Sequence, residues 1–379
     1  MPVRVLSLHA GYGCRHSGAC CRSGWDIPAE PEIEERLDAA LAAGRIDVRP
    51  PWSQPRPGLP HGARVVLRVT GEAACVFHQP GRPGPCAVHR ALGPDALPSA
   101  CRQFPRVATL SPLGVSVTLS HYCPTAAGLL FRDEAALGIV TDPPAFPPAW
   151  PYEGLDAREA LPPFLRPGVL MSWPAHARLE RHAVATLARS ELTPEAALET
   201  LATTAERLRV WTPRDGPFDD FVERVIEAGS RDPLPAASAS SLEAALADWE
   251  SVAAAVPPGQ PQPSSPRTGL EAFGIAHALA SVDAGWAVLR APVRRWLAAR
   301  AFASWLPLQG GGARTTALGL RVSLGVLRAE AVRACMAGGD GPLDAATLKE
   351  ALRRSDLLLH HLVDVEALAT RLSRCETAW

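Results

Sequence analysis

The sequence has almost no lysine, no excess of charge of either sign and no long apolar run. Lys349 is the single lysine among 38 basic residues, which most simply reflects a GC-rich genome, so isolated arginines carry little functional weight. The formal net charge of −1 over 379 residues gives no reason to expect a nucleic acid or an anionic membrane as a partner. No uncharged apolar run reaches the about 18 residues of a membrane-spanning helix, so we expect no membrane insertion.

The first residues, MPVRVLSLHAGYG, contain neither the apolar stretch nor the small-residue cleavage site of a secretory signal, so we expect a cytoplasmic protein. In that reducing compartment, a cysteine-rich segment is more often a metal site or a redox site than a disulfide framework. No Cys-x-x-Cys pair occurs in the chain, which disfavours a thiol redox protein. Metal binding therefore competes mainly with cysteines that simply fill a core.

Cysteine is the residue that the sequence concentrates, at its N-terminal end. Seven of the nine cysteines fall within the first 123 residues, and glycine or proline flanks them in HSGACC, PGRPGPC, CRQFPR and HYCP. These residues allow tight bends that bring distant thiols together, and several soft thiolates favour zinc or an iron–sulfur cluster. The predicted metal ligands are Cys14, Cys20, Cys21, Cys75, Cys86, Cys101 and Cys123. By contrast, Cys335 and Cys375 fit isolated thiols without a function.

Four histidines near these cysteines could complete a metal site, because imidazole is a ligand of zinc and of some clusters. They are His16, His78, His89 and His121. The first choice is His89, which follows Cys86 by three residues, or about one helical turn. For each of the four, a histidine that faces solvent is the alternative interpretation.

The distribution of cysteine and proline predicts the domain organisation. Residues 1–140 are expected to form a loop-rich, small α+β lobe that is stapled by the metal. The segment TDPPAFPPAWP at 141–151 is expected to be an extended, proline-rich linker. Residues 152–379 are expected to form an all-α helical domain with a flexible loop at 256–269. The predicted fold class is therefore mostly α, with a small mixed N-terminal lobe.

Individual elements follow from periodicity and from start and stop signals. Ile33 and Leu37 are four residues apart in a stretch that ends at glycine, which predicts a helix over 28–44. Alternation around Val65 predicts a strand, and RVATLSPLGVSVTLS predicts two strands around a turn. Thr193 followed by Pro194 predicts the capped start of a helix.

The cysteine segments also resemble a known family. CRHSGACCRSGWDIP, CVFHQPGRPGPCAVHRALGPDALPSACRQFPRV and LSHYCPTAAGLL are similar to the flagellin lysine N-methylase (FliB-like) proteins and to the wider YkgJ-type cysteine-cluster family, described as zinc- or iron-chelating. The resemblance covers residues 10–131 and weakens beyond them, although RRWLAARAFASWLPLQ is similar to the helical part of the methylases. Ser17 stands where the family commonly has a cysteine, so the first cluster has three thiols instead of four.

The resemblance implies a bound iron–sulfur cluster or zinc, and an S-adenosylmethionine-dependent methylation of a lysine in a flagellin-like protein. No strand followed by a glycine-rich nucleotide-binding turn and an acidic residue occurs in the sequence, so no site for S-adenosylmethionine can be assigned from it. Three hypotheses remain. The chain is a cluster-containing protein-lysine N-methyltransferase, a metal-binding module without catalysis, or, least favoured, a thiol redox protein.

Two further groups could carry chemistry. Trp25 directly follows the first cysteines and could line a pocket, although packing over the lobe explains it better. His360 and His361 lie close to Asp356 and Asp364 in the sequence. This spacing resembles a metal or acid–base group, but a partly exposed helical face explains it better.

Overall fold

The computed structural model describes residues 1–71, 73–81, 84–132, 136–236, 240–268, 275–337 and 342–375. Its helices are α1 Pro31–Ala42, α2 Ala87–Leu92, α3 Ser99–Gln103, α4 Pro124–Leu129, α5 Trp173–Ala188, α6 Pro194–Arg209, α7 Phe218–Gly229, α8 Leu242–Ala253, α9 Ile275–Val288, α10 Arg290–Ala301, α11 Ala313–Ala337, α12 Ala345–Asp356 and α13 Val365–Cys375. Its strands are β1 Val3–Leu6, β2 Pro28–Ala29, β3 Ser53–Pro55, β4 Val65–Leu67, β5 Arg106–Ser111, β6 Gly114–Leu119, β7 Ile139–Thr141, β8 Gly154–Asp156, β9 Phe164–Arg166 and β10 Val169–Leu170. The chain is therefore rich in helix with small sheets, which confirms the coarse fold class.

Five strands form one sheet in the order β7-β1-β6-β5-β8. Strands β5 and β6 form the antiparallel hairpin that the sequence predicted. In contrast, β1 runs parallel to β6, and β8 runs parallel to β5. Every residue of β6 is buried, because Val117 and its alternate neighbours lie in a core with Phe146, while the opposite face, with Thr118, packs on the helical part.

The cysteine-rich lobe has a small apolar core of its own. It consists of α1 packed on the three-stranded sheet β2-β4-β3, with Leu37, Trp52 and Phe77 among its buried side chains. The predicted helix within 28–44 and the predicted strand around Val65 are both confirmed. Apolar burial therefore stabilises this lobe, and Cys75, Cys86 and Cys101 pack against the same core.

The helical part is built around α10 and α11. Trp296 and Phe302 are among the largest fully buried side chains, and they belong to the same core as α5, α6, α8 and α12. Thr193 caps α6 as expected, since its hydroxyl accepts a hydrogen bond from the backbone N–H of Ala196. Residues 269–274, which include the last residue of the predicted loop at 256–269, lie outside the described residues.

The expectation that residues 152–379 contain only helices is wrong. Strand β8 joins the five-stranded sheet, and β9 pairs with β10 in a small hairpin before α5 begins. At Gly154 a Cβ atom would overlap the carbonyl of Ala108, so glycine is what lets β8 approach β5. Strands of two or three residues are too short to give an alternating pattern in the sequence.

The proline-rich segment 141–151 lies against the sheet. Phe146 is fully buried in the core that β1, β5 and β6 share, and Trp150 packs at its edge. None of the described helices is long and apolar enough to cross a membrane.

Candidate metal site

Five of the seven predicted metal ligands line one small cavity, which we call the thiol cavity. These residues are Cys20, Cys21, Cys75, Cys86 and Cys101. The cavity measures about 40 Å³, and its remaining walls are apolar or backbone. A single water-sized atom needs about 10–15 Å³, so a metal ion has room there. Five thiols from four segments of the chain thus face one small space without any charged neighbour in its lining.

Gly18 allows the segment that contains Cys20 and Cys21 to approach the segment that contains Cys86. Cys20 and Cys21 lie in a single 3-10 turn over Ala19–Arg22 that starts directly after Gly18. Gly18 has a φ of 72°, and a Cβ atom there would lie 2.9 Å from Pro85, next to Cys86. Only glycine adopts this backbone conformation easily at so close an approach. The backbone N–H of Cys75 donates to the carbonyl of Cys21 at 2.7 Å, which adds the third segment.

Two short helices place the remaining thiols. Cys86 is the N-cap residue of α2, and Cys101 lies within α3. The carboxylate of Glu30 accepts a hydrogen bond from the backbone N–H of Ser99 at 3.1 Å, which ties the start of α3 to α1. The chain thus orients both thiols through helix starts, where the backbone direction is well defined.

The thiols influence one another electrostatically. The thiol of Cys21 donates a hydrogen bond to Cys86, and backbone N–H groups of α2 add to it, so the pKa of Cys86 falls to about 6. Burial raises the pKa of Cys75 to about 12, and burial together with the nearby thiols raises that of Cys101 well above its ordinary value. A hydrogen bond from Cys21 also lowers the pKa of Cys20, so Cys20 and Cys86 ionise more readily, whereas a cation would be needed to ionise Cys75 and Cys101.

The remaining two predicted ligands lie just outside the thiol cavity. Cys123 is buried at the N-cap of α4, with its sulfur 3.8 Å from the hydroxyl of Tyr12, and Cys14 is exposed on the same side. The two sulfurs of Cys20 and Cys21 are 4.0 Å apart. In the described part of the chain, no group of three or more His, Cys, Asp or Glu side chains has the arrangement of a metal site as it stands.

The predicted histidine ligands are not in the thiol cavity. His16 and His89 pack ring to ring with their centroids 4.9 Å apart, and both line a neighbouring pocket. His78 pairs with Cys86 through the backbone, in an isolated bridge. His121 is fully buried elsewhere and bonds to Asp356.

The neighbouring pocket, which we call the wide pocket, measures about 390 Å³ and opens onto the thiols. It shares four of them with the thiol cavity, namely Cys20, Cys21, Cys86 and Cys101. Three arginines line it, and no Asp or Glu does so among the described residues. A molecule in this pocket would contact the sulfurs directly, and the charge of the walls favours an anionic group.

Arg106 is the most distinctive of these arginines. Its guanidinium lies 5.0 Å from the ring centre of Trp150, 5.4 Å from that of Phe146 and 5.8 Å from that of Tyr12. Its Nε atom is buried without a hydrogen-bond partner, and no carboxylate among the described residues forms an ion pair with it. Burial lowers the pKa of this arginine, yet an arginine remains charged. A cation held by aromatic rings and left without a counter-ion is suited to bind an anion.

Aromatic rings separate the thiols from the helical part. Trp25 lines the thiol cavity, and its ring centre lies 5.4 Å from that of Tyr122 and 5.6 Å from that of Phe104. On its other side it packs against His361 at 4.5 Å. Trp25 therefore both lines a pocket and packs over the lobe, so the two interpretations of this residue are compatible.

Sequence reasoning missed a buried polar network in the helical part. Asp356 is fully buried, so the expectation of a partly exposed face is wrong for this residue. Its carboxylate accepts hydrogen bonds from His121 Nδ1 at 3.0 Å and from Trp296 Nε1 at 2.8 Å. Burial opposes its ionisation, but the hydrogen bond from His121 and the charge of Arg300 outweigh that effect and hold its pKa below the ordinary range. Asp364 instead caps α13 at Ala367.

The bond to Asp356 fixes the tautomers of two histidines. Because Nδ1 of His121 donates to the carboxylate, its Nε2 is free to accept from Nε2 of His9 at 3.2 Å. His9 is then left with an unprotonated Nδ1, which is buried and has no partner among the described residues. A signal for this network existed in the sequence only as the isolated group around His360.

His361 leads to a testable dependence of stability on pH. Burial lowers its pKa from the ordinary histidine value of 6.5 to about 4 in the folded protein. The unfolded chain takes up a proton on this residue near pH 6.5, so acid favours unfolding between these two values. We expect the free energy of unfolding to fall as the pH drops through this window, by roughly 3 kcal/mol from His361 alone.

Urea unfolding of the wild type and of His361→Gln at a series of pH values measures this contribution. The wild type should lose more stability than the variant between about pH 6.5 and about pH 4. The control is His61→Gln, since the side chain of His61 is 59% exposed. Equal slopes for the wild type and His361→Gln would contradict the prediction.

Cys335 is buried in the core of the helical part, as expected for a thiol without ligands, whereas the side chain of Cys375 lies outside the described part of the chain.

Comparison with known proteins gives no relative for this chain: no family model matches it, and neither a curated protein nor a solved structure does so.

Proposed function

We propose that this protein binds a thiolate-ligated centre, zinc or an iron–sulfur cluster, in the thiol cavity. The observation that carries the proposal is the convergence of Cys20, Cys21, Cys75, Cys86 and Cys101 on one apolar space. Several soft thiolates are the donor set that both zinc and iron–sulfur clusters prefer. A bound cation would also stabilise the thiolate of Cys101, whose pKa is raised by burial and by the nearby thiols.

We further propose that the wide pocket receives S-adenosylmethionine, as the resemblance to the lysine N-methylases implies. The pocket volume of about 390 Å³ lies within the usual range for small-molecule sites. Arg106 is a cation without a counter-ion there and can bind the carboxylate of this molecule. Tyr12 and Trp150 line the pocket and offer aromatic surface.

S-adenosylmethionine would supply the methyl group: the sulfonium C–S bond breaks with its electron pair on sulfur, and the carbon bonds to a deprotonated lysine amine. The chain itself contributes an anchor at Arg106 and a partly apolar pocket that limits water around the reacting atoms. The acceptor would be a lysine on a flagellin-like protein, in a cytoplasmic setting. The alternative function is a metal-binding module without turnover.

Anaerobic purification, followed by metal and sulfide analysis and an absorption spectrum, tests the first proposal. A brown protein with iron and acid-labile sulfide indicates a cluster, and a colourless protein with stoichiometric zinc indicates a structural site. Protein without either metal would contradict metal binding. Methylation of a lysine-containing partner by metal-loaded protein then distinguishes an enzyme from a module, which would bind metal without turnover.

The role of Arg106 predicts a measurable loss of affinity. We expect Arg106→Gln to weaken the binding of S-adenosylmethionine about tenfold to a hundredfold, because a hydrogen bond to a charged group is lost. Equilibrium dialysis measures the affinity, and metal content measured in parallel should be unchanged. Arg214→Gln is the control, since Arg214 is exposed in the helical part. Unchanged affinity of Arg106→Gln would remove Arg106 from this site.

A further inference from the structure

A second enclosed cavity lies where the five-stranded sheet meets the helical part, and we call it the interface cavity. It measures about 210 Å³ and is large enough for a small molecule or for several waters. Its walls come from β5 and β6 on one side and from α10, α11 and α13 on the other. The π-helical turn Leu357–Leu362 closes it with His360 and His361.

The charge of this cavity is positive. Arg300 and Arg106 line it, and no Asp or Glu does so among the described residues. His360 and His361 are neutral, because burial keeps their pKa values below the ordinary range. Two buried carboxylates lie behind the lining: Asp356 accepts hydrogen bonds from His121 and Trp296, and Glu180 accepts from the backbone N–H of Ala303, which lines the cavity.

Arg300 leaves one edge of its guanidinium unused. Its Nη1 donates to Nε2 of His360 at 2.7 Å, which is the one hydrogen bond that this side chain makes to the described residues. Its Nε atom is buried without a partner. The Nη2 atom makes no hydrogen bond to the described residues and is the donor left for one oxygen of a carboxylate or a phosphate, because Nε is too deeply buried for a ligand atom to reach it. An N–H donor that lines a cavity without a partner favours a ligand that accepts from it.

We propose that the interface cavity binds a small oxyanion, a carboxylate or a phosphate group, through Arg300. His360 accepts from Nη1 and so fixes the orientation of the guanidinium. Ser304 also lines the cavity, and its hydroxyl, which accepts from the backbone N–H of Leu306, can donate to the same anion. This site shares no residue with the thiol cavity and shares only Arg106 with the wide pocket, and it does not depend on the function proposed for them.

The interface cavity is linked to the thiol cavity by the contact between the rings of His361 and Trp25. His361 lines the interface cavity, accepts or donates a hydrogen bond with Ser120 Oγ at 2.7 Å, and packs on Trp25. Trp25 in turn lines the thiol cavity. An anion at Arg300 would therefore lie two side chains away from the thiols, on the opposite side of the aromatic rings.

Isothermal titration calorimetry of the full chain with sodium acetate and with inorganic phosphate tests the proposal. We expect saturable binding of at least one probe at one site per chain. The tighter of the two identifies the ligand class as carboxylate or phosphate. Arg300→Gln, which removes the fork, should weaken binding at least about tenfold. The absence of saturable binding of either probe would overturn the proposal.

A second variant keeps the test valid if Arg300→Gln folds poorly. Ser304→Asp places a carboxylate in the lining of the cavity, where it should repel the anion while Arg300 stays in place. Aspartate can still accept the hydrogen bond that Leu306 N now donates to Ser304 Oγ, so the fold should be retained. Arg290→Gln, on the exposed start of the same helix, is the matched control and should bind as the wild type does. Wild-type affinity in Ser304→Asp would also overturn the proposal.

Discussion

Cys101→Ser is expected to remove most of the bound metal or cluster from the purified protein. Cys101 lies within α3 and lines the thiol cavity together with four other thiols, and its pKa is raised by burial and by its neighbours. Serine has nearly the same shape but is a poor ligand for zinc or iron, so the site would lose one soft donor. Because metal binding and folding of such a site are coupled, the yield of soluble protein should fall as well.

Metal analysis per chain, with the absorption spectrum of anaerobically purified protein, measures the effect of Cys101→Ser and of Cys20→Ser. Cys335→Ser is the matched control, because Cys335 is a buried thiol that lies in the core of the helical part, away from the thiol cavity. Its metal content should equal that of the wild type. If both Cys20→Ser and Cys101→Ser retain the full metal content, these residues are not ligands, and the thiol cavity is a packing feature.

Cys14 and Cys123 are expected to behave differently from the five cysteines of the thiol cavity. They lie on the side of the wide pocket, near Tyr12, and do not line the thiol cavity. Replacement of either residue should therefore change ligand binding in the wide pocket more than it changes the metal content. This ordering follows from the structure alone, because the gaps between cysteines cannot assign seven thiols to one site or to two.

Local features of the fold could be predicted well from the sequence. The helix α1, the hairpin β5–β6 and the capped start of α6 each have a signal within a few residues, such as Thr193 before Pro194. Strands β8 and β9 could not be predicted, because their formation depends on pairing with a strand or hairpin partner and on the small volume of Gly154. Sheet partners contribute more to such short strands than their own residues do.

The candidate sites divide in the same way. The thiols were recognisable because cysteine is rare and seven of them are close in the sequence, although their metal binding stays a prediction. The network around Asp356 was not recognisable, because its partner His121 is 235 residues away and neither residue is unusual by itself. The unused edge of Arg300 is a property of three-dimensional packing. Because the sequence is rich in arginine, Arg300 does not stand out in it.

Asp356→Ala is expected to cost about 3–5 kcal/mol of unfolding free energy, the range for breaking a buried charged pair. The carboxylate is fully buried and accepts from the backbone N–H of His121 at 2.5 Å, from its ring and from Trp296. Alanine would leave all three donors without an acceptor and would leave Arg300 without its nearest counter-charge. The network joins α4 and β6 to α10 and α12, so its loss should loosen the contact between the sheet and the helical part.

Urea unfolding at neutral pH measures the change, and comparison with Asp356→Asn separates charge from shape. Asparagine keeps one acceptor oxygen but presents an amide N–H₂ group to at least one of the three donors, so it should lie between the wild type and alanine. Asp156→Ala is the control, since Asp156 is half exposed and pairs with the exposed Arg158, and its loss should be small by comparison. Equal losses for Asp156→Ala and Asp356→Ala would mean that the buried network adds nothing to stability. In that case the hydrogen bond from Arg300 to the neutral His360 would be enough to hold the guanidinium in place.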